Sequence, residues 1–202
     1  MRSKSKLSAG LIVCAACWLS YARDGVSSTK PSLILISIDT LRADHLGLYG
    51  YKRNNTPGID SFAENGTVFT SIDSQVPLTL PSHTVLFTST YPFANHVQEN
   101  AEIVPAGAVT LASVLRKSGY ETGAFIGSSL LSKRYGLDNG FEFYDDPFHW
   151  TGENDASPYD LRVRRDGALV TSAALKWLMT KHEGPVFAFL HLYDVHTPYS
   201  VR

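Results

Sequence analysis

Leu33-Ile34-Leu35-Ile36-Ser37-Ile38-Asp39-Thr40 is the stretch that decides how this chain folds. Its apolar run, broken only by Ser37, predicts a strand buried on both faces of a parallel sheet, and it stops abruptly at a carboxylate. A second run of the same kind, Pro185 to Leu192, also hands over to polar residues: His191 within it, then Asp194-Val195-His196. In open α/β sheets, ligands collect beyond the carboxyl ends of the strands, so both runs aim chemistry at one edge.

The segments between them alternate in character. Thr56-Pro57 predicts a short helix, with Thr as cap and Pro at the first position, closing before Gly66. Thr67 to Ile72 is expected to be a strand. Pro81 is expected to open a helix reaching about Thr88. Ala108 to Ser118 is amphipathic, with Val109, Leu111, Ala112 and Leu115 on one side, and Gly119 stops it. Glu121 to Ile126 reads as a strand, 132–158 as an aromatic and acidic loop, and Arg164 to His182 as a long helix. The alternation predicts an α/β fold built on a largely parallel sheet.

Composition narrows the function. The chain has 202 residues, 44% hydrophobic and 18% charged, which fits one globular domain and excludes wholesale disorder. A net charge of −1 offers no electrostatic footprint for nucleic acid or an anionic membrane. Two cysteines cannot build a disulfide scaffold or a cysteine-cage zinc site.

Both cysteines lie in a leader-like segment. Arg2, Lys4 and Lys6 precede an apolar run from Leu7 to Leu19, followed by Ser20-Tyr21-Ala22. That layout predicts a secretory signal peptide over 1–22, cleaved after Ala22, since the run is too short to span a bilayer comfortably. The protein is therefore expected to be exported, periplasmic or secreted, without an integral membrane span beyond that segment. Ala15-Ala16-Cys17 offers an alternative, a lipoprotein anchor at Cys17, although Cys14 stands where a branched apolar residue is expected. Residues 23–32 form a polar lead-in ahead of the folded part, 33–202.

Two clusters carry chemistry. A carboxylate at the end of an apolar strand needs a partner, and at Asp39 a hard cation suits it, although Asp39 could equally cap the next turn. Pro77-Leu78-Thr79-Leu80-Pro81-Ser82-His83 places a hydroxyl just before a helix start, whose amides favour an oxyanion, although Thr79 and Ser82 could be ordinary cap and turn residues.

The joint arrangement resembles the sulfatase family of the alkaline phosphatase superfamily. The likeness runs through Ile36-Ser37-Ile38-Asp39-Thr40-Leu41-Arg42-Ala43-Asp44-His45-Leu46-Gly47, Tyr49-Gly50-Tyr51 and Asn55-Thr56-Pro57. It continues through Pro81-Ser82-His83, Tyr91-Pro92, Val97-Gln98-Glu99-Asn100 and Gly119-Tyr120-Glu121-Thr122. Gly136-Leu137-Asp138-Asn139-Gly140-Phe141 and His196-Thr197-Pro198-Tyr199 complete it.

The resemblance implies an alkaline-phosphatase-like sheet flanked by helices, incomplete at the C-terminus, and a metal-dependent hydrolase of sulfuric or phosphoric esters. Asp39 looks like the family's first metal-binding aspartate. Thr79 stands at the nucleophile of its Cys/Ser-x-Pro-x-Arg motif and beside the metal, His83 at that motif's arginine, and His196 at the histidine that holds the anionic group or leaving oxygen. The implied cofactor is a divalent cation, calcium or magnesium first, with manganese or zinc as alternatives.

Departures from the family pattern are informative. Thr40 replaces the second aspartate, Asn95-His96 stands where His-Gly is usual, and no Gly-Lys-Trp-His block occurs near Gly127-Ser128-Ser129. Family members oxidise Cys or Ser to formylglycine. Threonine would give a poorly hydrated ketone, so no formylglycine is expected at Thr79 and direct attack by its oxygen tilts the chemistry towards phosphorus. The family's other metal ligands and an active-site lysine lie farther downstream, so the chain is expected to be the N-terminal part of a larger enzyme. A phosphoryl transferase of the same superfamily and a non-catalytic remnant are the rival expectations.

Lesser features have plainer readings. Asn65-Gly66-Thr67 fits a glycosylation sequon but also a helix end. Asp145-Asp146 reads as a solvated acidic turn, Lys133-Arg134 and Arg162 to Arg165 as solvated basic faces, and His149 and Trp150 as candidate pocket residues.

Overall fold

The computed structural model describes residues 30–53, 56–148 and 164–199. The expected signal segment, Cys14 and Cys17, most of the lead-in, and His149, Trp150 and Arg162 lie outside the described residues.

Among the described residues four strands form one sheet: β1 (Leu33–Ile38), β2 (Glu121–Phe125), β3 (Phe143–Asp145) and β4 (Val186–Leu192). Their order is β1-β4-β2-β3, and every pairing is parallel. The two apolar runs that end in polar residues are thus neighbours, with Ser37 opposite His191 and Ile38 opposite Leu192. The backbone N–H of Asp39 donates to the Leu192 carbonyl at 2.9 Å, so the ladder carries on to the carboxyl edge of the sheet.

Side chains alternate across β4, and each face finds a different cover. Phe187 and Phe189 point into a core with Leu80, Phe87, Val97, Ala112, Leu131 and Phe141. That core brings in helices α1 to α4 of the chain's middle only in part: α2 (Thr79–Thr88) and α4 (Leu111–Lys117) contribute, whereas α1 (Pro57–Glu64) has no buried residue and α3 (Pro92–Asn95) is a single turn. On the other face, Ala188 and Leu190 meet Val170 and Ala174 of α5 (Gly167–Leu178).

Local chemistry explains the helix ends. Thr110 and Ser113 form a reciprocal capping box at the start of α4, which therefore begins later than the amphipathic pattern implies. Asp166 caps α5 by accepting from Ala168 N–H, so this helix is shorter than the 164–182 expected. Helix α2 starts at Thr79 rather than Pro81. Proline is tolerated in the first turn because its missing N–H would have no intrahelical partner there.

Several expectations are corrected. Strand β1 is an edge strand rather than one buried on both faces: Ile34 and Ile36 are 57% and 54% exposed. They share the face of Ala188 and Leu190, where α5 packs on β2 and β4. The segment 67–72 is not a strand, and Phe69 and Ile72 are exposed; β-forming residues need a neighbouring ladder and a core to face, and these have neither. Within 132–148, a 3₁₀ turn and β3 replace the expected loop, since a three-residue strand leaves no readable period. The acidic and basic clusters there are not simply solvated. Arg165 pairs with Asp145 at 2.6 Å, with both side chains mostly buried, and Asp146 accepts from Ser132 Oγ and Lys133 N–H. Asn65, as the helix-end reading has it, caps the C-terminus of α1.

Candidate active site

A cleft of about 530 Å³ opens at the carboxyl ends of β1 and β4, and Asp39, Thr40, Thr79, His83 and His196 all line it. Residues 40 to 157 positions apart in sequence meet because β1 and β4 are parallel neighbours and α2 begins at the same edge. A slightly larger opening of about 570 Å³, beside Arg116 and Lys117, has no carboxylate or histidine among its lining residues.

Asp39 is the hinge of the site. Burial pushes its carboxyl up, but the hydrogen bond and charge of His191, then the charge of His83 and the Thr79 hydroxyl, outweigh burial and hold it below its ordinary value. His191 Nε2 lies 3.2 Å from Asp39 Oδ2, and its ring is fully buried. His191 Nδ1 has no hydrogen-bond partner among the described residues.

His83 is buried on the first turns of α2. Its Nδ1 donates to the Thr79 carbonyl at 2.7 Å, so in the neutral ring Nε2 carries the lone pair and accepts from Ser37 Oγ at 2.8 Å. Burial, reinforced by the neighbouring His191, pushes His83 down to about 4, so the ring is uncharged near neutrality. The two imidazoles meet edge to face, with centroids 4.9 Å apart.

Thr79 is the first residue of α2 and is 6% exposed. The next amide, Leu80 N–H, donates to Asn100 Oδ1, which anchors the helix start. His196 sits on the loop after β4, stacked on Tyr193 at 4.3 Å, and Arg164 donates to its carbonyl. Burial pushes the Tyr193 phenol up to about 12, so it stays protonated; Thr79 and Ser128 are its polar neighbours. Thr40 adopts φ 58°, a left-handed conformation that β-branched residues rarely hold, and its hydroxyl donates to the Val195 carbonyl.

Ser37 and Tyr193 were not singled out as site residues by the sequence. Their signal was present: Ser37 and His191 are the only polar residues within β1 and β4, and the strand register sets them side by side. A polar residue inside an otherwise apolar strand is costly to bury unless it has a partner.

The family model described as Sulfatase matches residues 31–202. The chain belongs to the sulfatase family. It is 33% identical over 123 residues to an N-acetylgalactosamine-6-O-sulfatase of Bacteroides thetaiotaomicron, a match covering 56% of this chain and 24% of that protein. It is 32% identical over 149 residues to human arylsulfatase D, covering 64% of this chain and 25% of that protein. In structure it resembles a phosphonate monoester hydrolase of Agrobacterium radiobacter (TM-score 0.68, 22% identity, 85% of this chain and 42% of that one). This sulfatase-family chain spans about a quarter of the length of the curated relatives it matches.

Two departures from the sulfatase pattern can be located in the structure. His96, where glycine is usual, has φ 61° and ends α3 in a left-handed turn that favours glycine. The stretch that lacks the Gly-Lys-Trp-His block folds as a buried 3₁₀ turn, Ser129–Leu131, capped by the Ser128 side chain.

Proposed function

We propose that this protein is an exported, metal-dependent hydrolase of sulfuric or phosphoric esters, with Thr79 as its nucleophile. The observation that carries the reading is the convergence of Thr79, Asp39, His83 and His196 on one cleft. Family membership supports ester hydrolysis, and the basic, apolar and small-residue layout of 1–22 supports export.

Each residue has a definable task. Thr79 Oγ forms the new bond to sulfur or phosphorus as the bond to the leaving oxygen breaks, its hydroxyl proton ending on the departing alcohol; water then splits the Thr79 ester, restoring the hydroxyl and releasing the anion. Asp39 faces the Thr79 hydroxyl and orients it. His196, at the cleft, hydrogen-bonds the leaving oxygen or the anion. His83 takes the place of an arginine without its charge; it holds the start of α2 through the Thr79 carbonyl. A divalent cation, held by Asp39 with neighbouring donors, would offset negative charge on the ester.

The same nucleophile favours phosphorus as a second reading. A threonine oxygen attacks directly and needs no conversion to an aldehyde, so phosphate esters are expected to turn over faster than sulfate esters. The test uses nitrophenyl sulfate and nitrophenyl phosphate with added divalent ions. Thr79→Ala is expected to lower kcat by about a thousandfold, while Thr79→Ser retains phosphate-ester hydrolysis. Unchanged turnover of both esters by Thr79→Ala would overturn the assignment.

A further inference from the structure

The donors around Asp39 are the wrong kind for calcium or magnesium. Those ions gather six or more oxygens, at least several from carboxylates, carbonyls or water. Among the described residues a single carboxylate stands beside two imidazoles here, and the Thr40 hydroxyl is already committed to the Val195 carbonyl. Accepting the metal-dependent reading above, we propose that Asp39, His83 and His191 form a mixed nitrogen and oxygen site for a borderline dication of the zinc type.

The geometry is close to closure. One ligand atom from each of the three residues lies within 4.8 Å of the others. Zinc bonds to nitrogen and oxygen are about 2.0–2.2 Å, so two ligands of one ion sit no more than about 4.2 Å apart. Small side-chain rotations cover that difference. Imidazole and carboxylate together suit zinc and its neighbours rather than the alkaline-earth ions.

His191 supplies an independent observation. It is fully buried, yet Nδ1 has no partner among the described residues. If Nε2–H donates to Asp39, the Nδ1 lone pair is bare. If the proton is on Nδ1, a nitrogen lone pair faces the Asp39 carboxylate 3.2 Å away. In the second tautomer a bare lone pair faces a carboxylate, and that is the deficit a cation between them fills. His83 is arranged as metal-binding histidines generally are: one nitrogen donates to a backbone carbonyl, which fixes the ring and directs the lone pair of the other into the site. Ser37, which occupies that lone pair, can turn aside by a single rotation about its Cα–Cβ bond.

The test titrates Co²⁺ and Zn²⁺ into the full chain carrying Cys14→Ser and Cys17→Ser, so that no thiolate competes. Cobalt absorption in the visible reports ligation, and ¹⁵N-labelled histidine rings report which residues bind. One ion per chain is expected, moving the His83 and His191 ring resonances, with millimolar Ca²⁺ unable to displace it. His83→Gln and His191→Asn are each expected to weaken binding by about a hundredfold or more, since loss of an outer-shell partner alone costs 10–100-fold. The resonances are read with every histidine in place, so a variant that fails to fold does not hide the answer. Shifts confined to the other histidines, calcium binding as tightly as cobalt, or no binding would each overturn the proposal. If hydrolysis needs a divalent ion while His83 and His191 do not respond, this site falls and the proposed function stands. If the trio binds zinc while Thr79→Ala hydrolyses normally, the reverse holds.

Discussion

The two faces of the sheet are packed very differently. On one, Phe87, Phe141, Phe187 and Phe189 form a ring cluster, with Phe87 meeting Phe189 edge to face at 4.9 Å. On the other, α5 covers β2 and β4 while Ile34 and Ile36 of β1 stay exposed. The candidate site belongs to the first face. His191 follows Phe187 and Phe189 on the same side of β4, and His83 lies on α2, its ring 6.0 Å from Phe189. Side chains that must hold a fixed geometry sit where packing allows them little freedom.

The largest expected effect breaks the packed face. Phe189→Ala removes a fully buried ring and is expected to cost about 3–5 kcal/mol in urea unfolding, and to disturb His83 with it. A loss under about 1 kcal/mol would mean that this face is not the main core. A smaller effect is expected at the opposite, amino end of the sheet. There His182 Nδ1 lies 2.8 Å from Glu121 Oε2, and Glu121 also receives the Glu183 and Gly184 amides. The bond from His182 lowers Glu121 below 4.5, and the same bond raises His182 above 6.5.

The signs define a window. The His182 contribution is fully present below its unfolded value and is lost as pH rises through the raised folded value. The Glu121 contribution is present above its unfolded value and is lost as pH falls through the lowered folded value. His182→Ala is therefore expected to lower Tm at about pH 5.5 and to change it little at about pH 9. An equal loss at both would make His182 a packing residue against Trp177, whose ring centroid is 4.7 Å away. The smallest effect is expected on the open face. Ile36→Lys should change stability by no more than about 0.5 kcal/mol and reduce self-association seen by light scattering. A loss comparable to Phe189→Ala would show that Ile36 is covered, and the contrast between the faces would disappear.

Much of this arrangement was legible in the residues. Apolar runs ending in Asp39 and in Asp194-Val195-His196 announced parallel strands with polar carboxyl ends, and Thr79 and His83 were placed by their motif. What misled was burial. An unbroken run such as 33–38 has the composition of an interior strand, but whether it lies inside a sheet or at its edge depends on neighbours elsewhere in the chain. The segment 67–72 failed for the same reason: its residues favour a strand, yet no strand among the described residues pairs with it.

Local pattern, then, determined the α/β class, the strand ends and the family, because periodicity, caps and ordered motifs are properties of neighbouring residues. Tertiary structure alone decided which strands touch. The register that sets Ser37 beside His191 and the packing that brings α2 against β4 assemble the trio of Asp39, His83 and His191, spread over 152 positions of sequence. No local signal carries that encounter, because it depends on strand order, and strand order follows from how the whole chain buries its apolar faces.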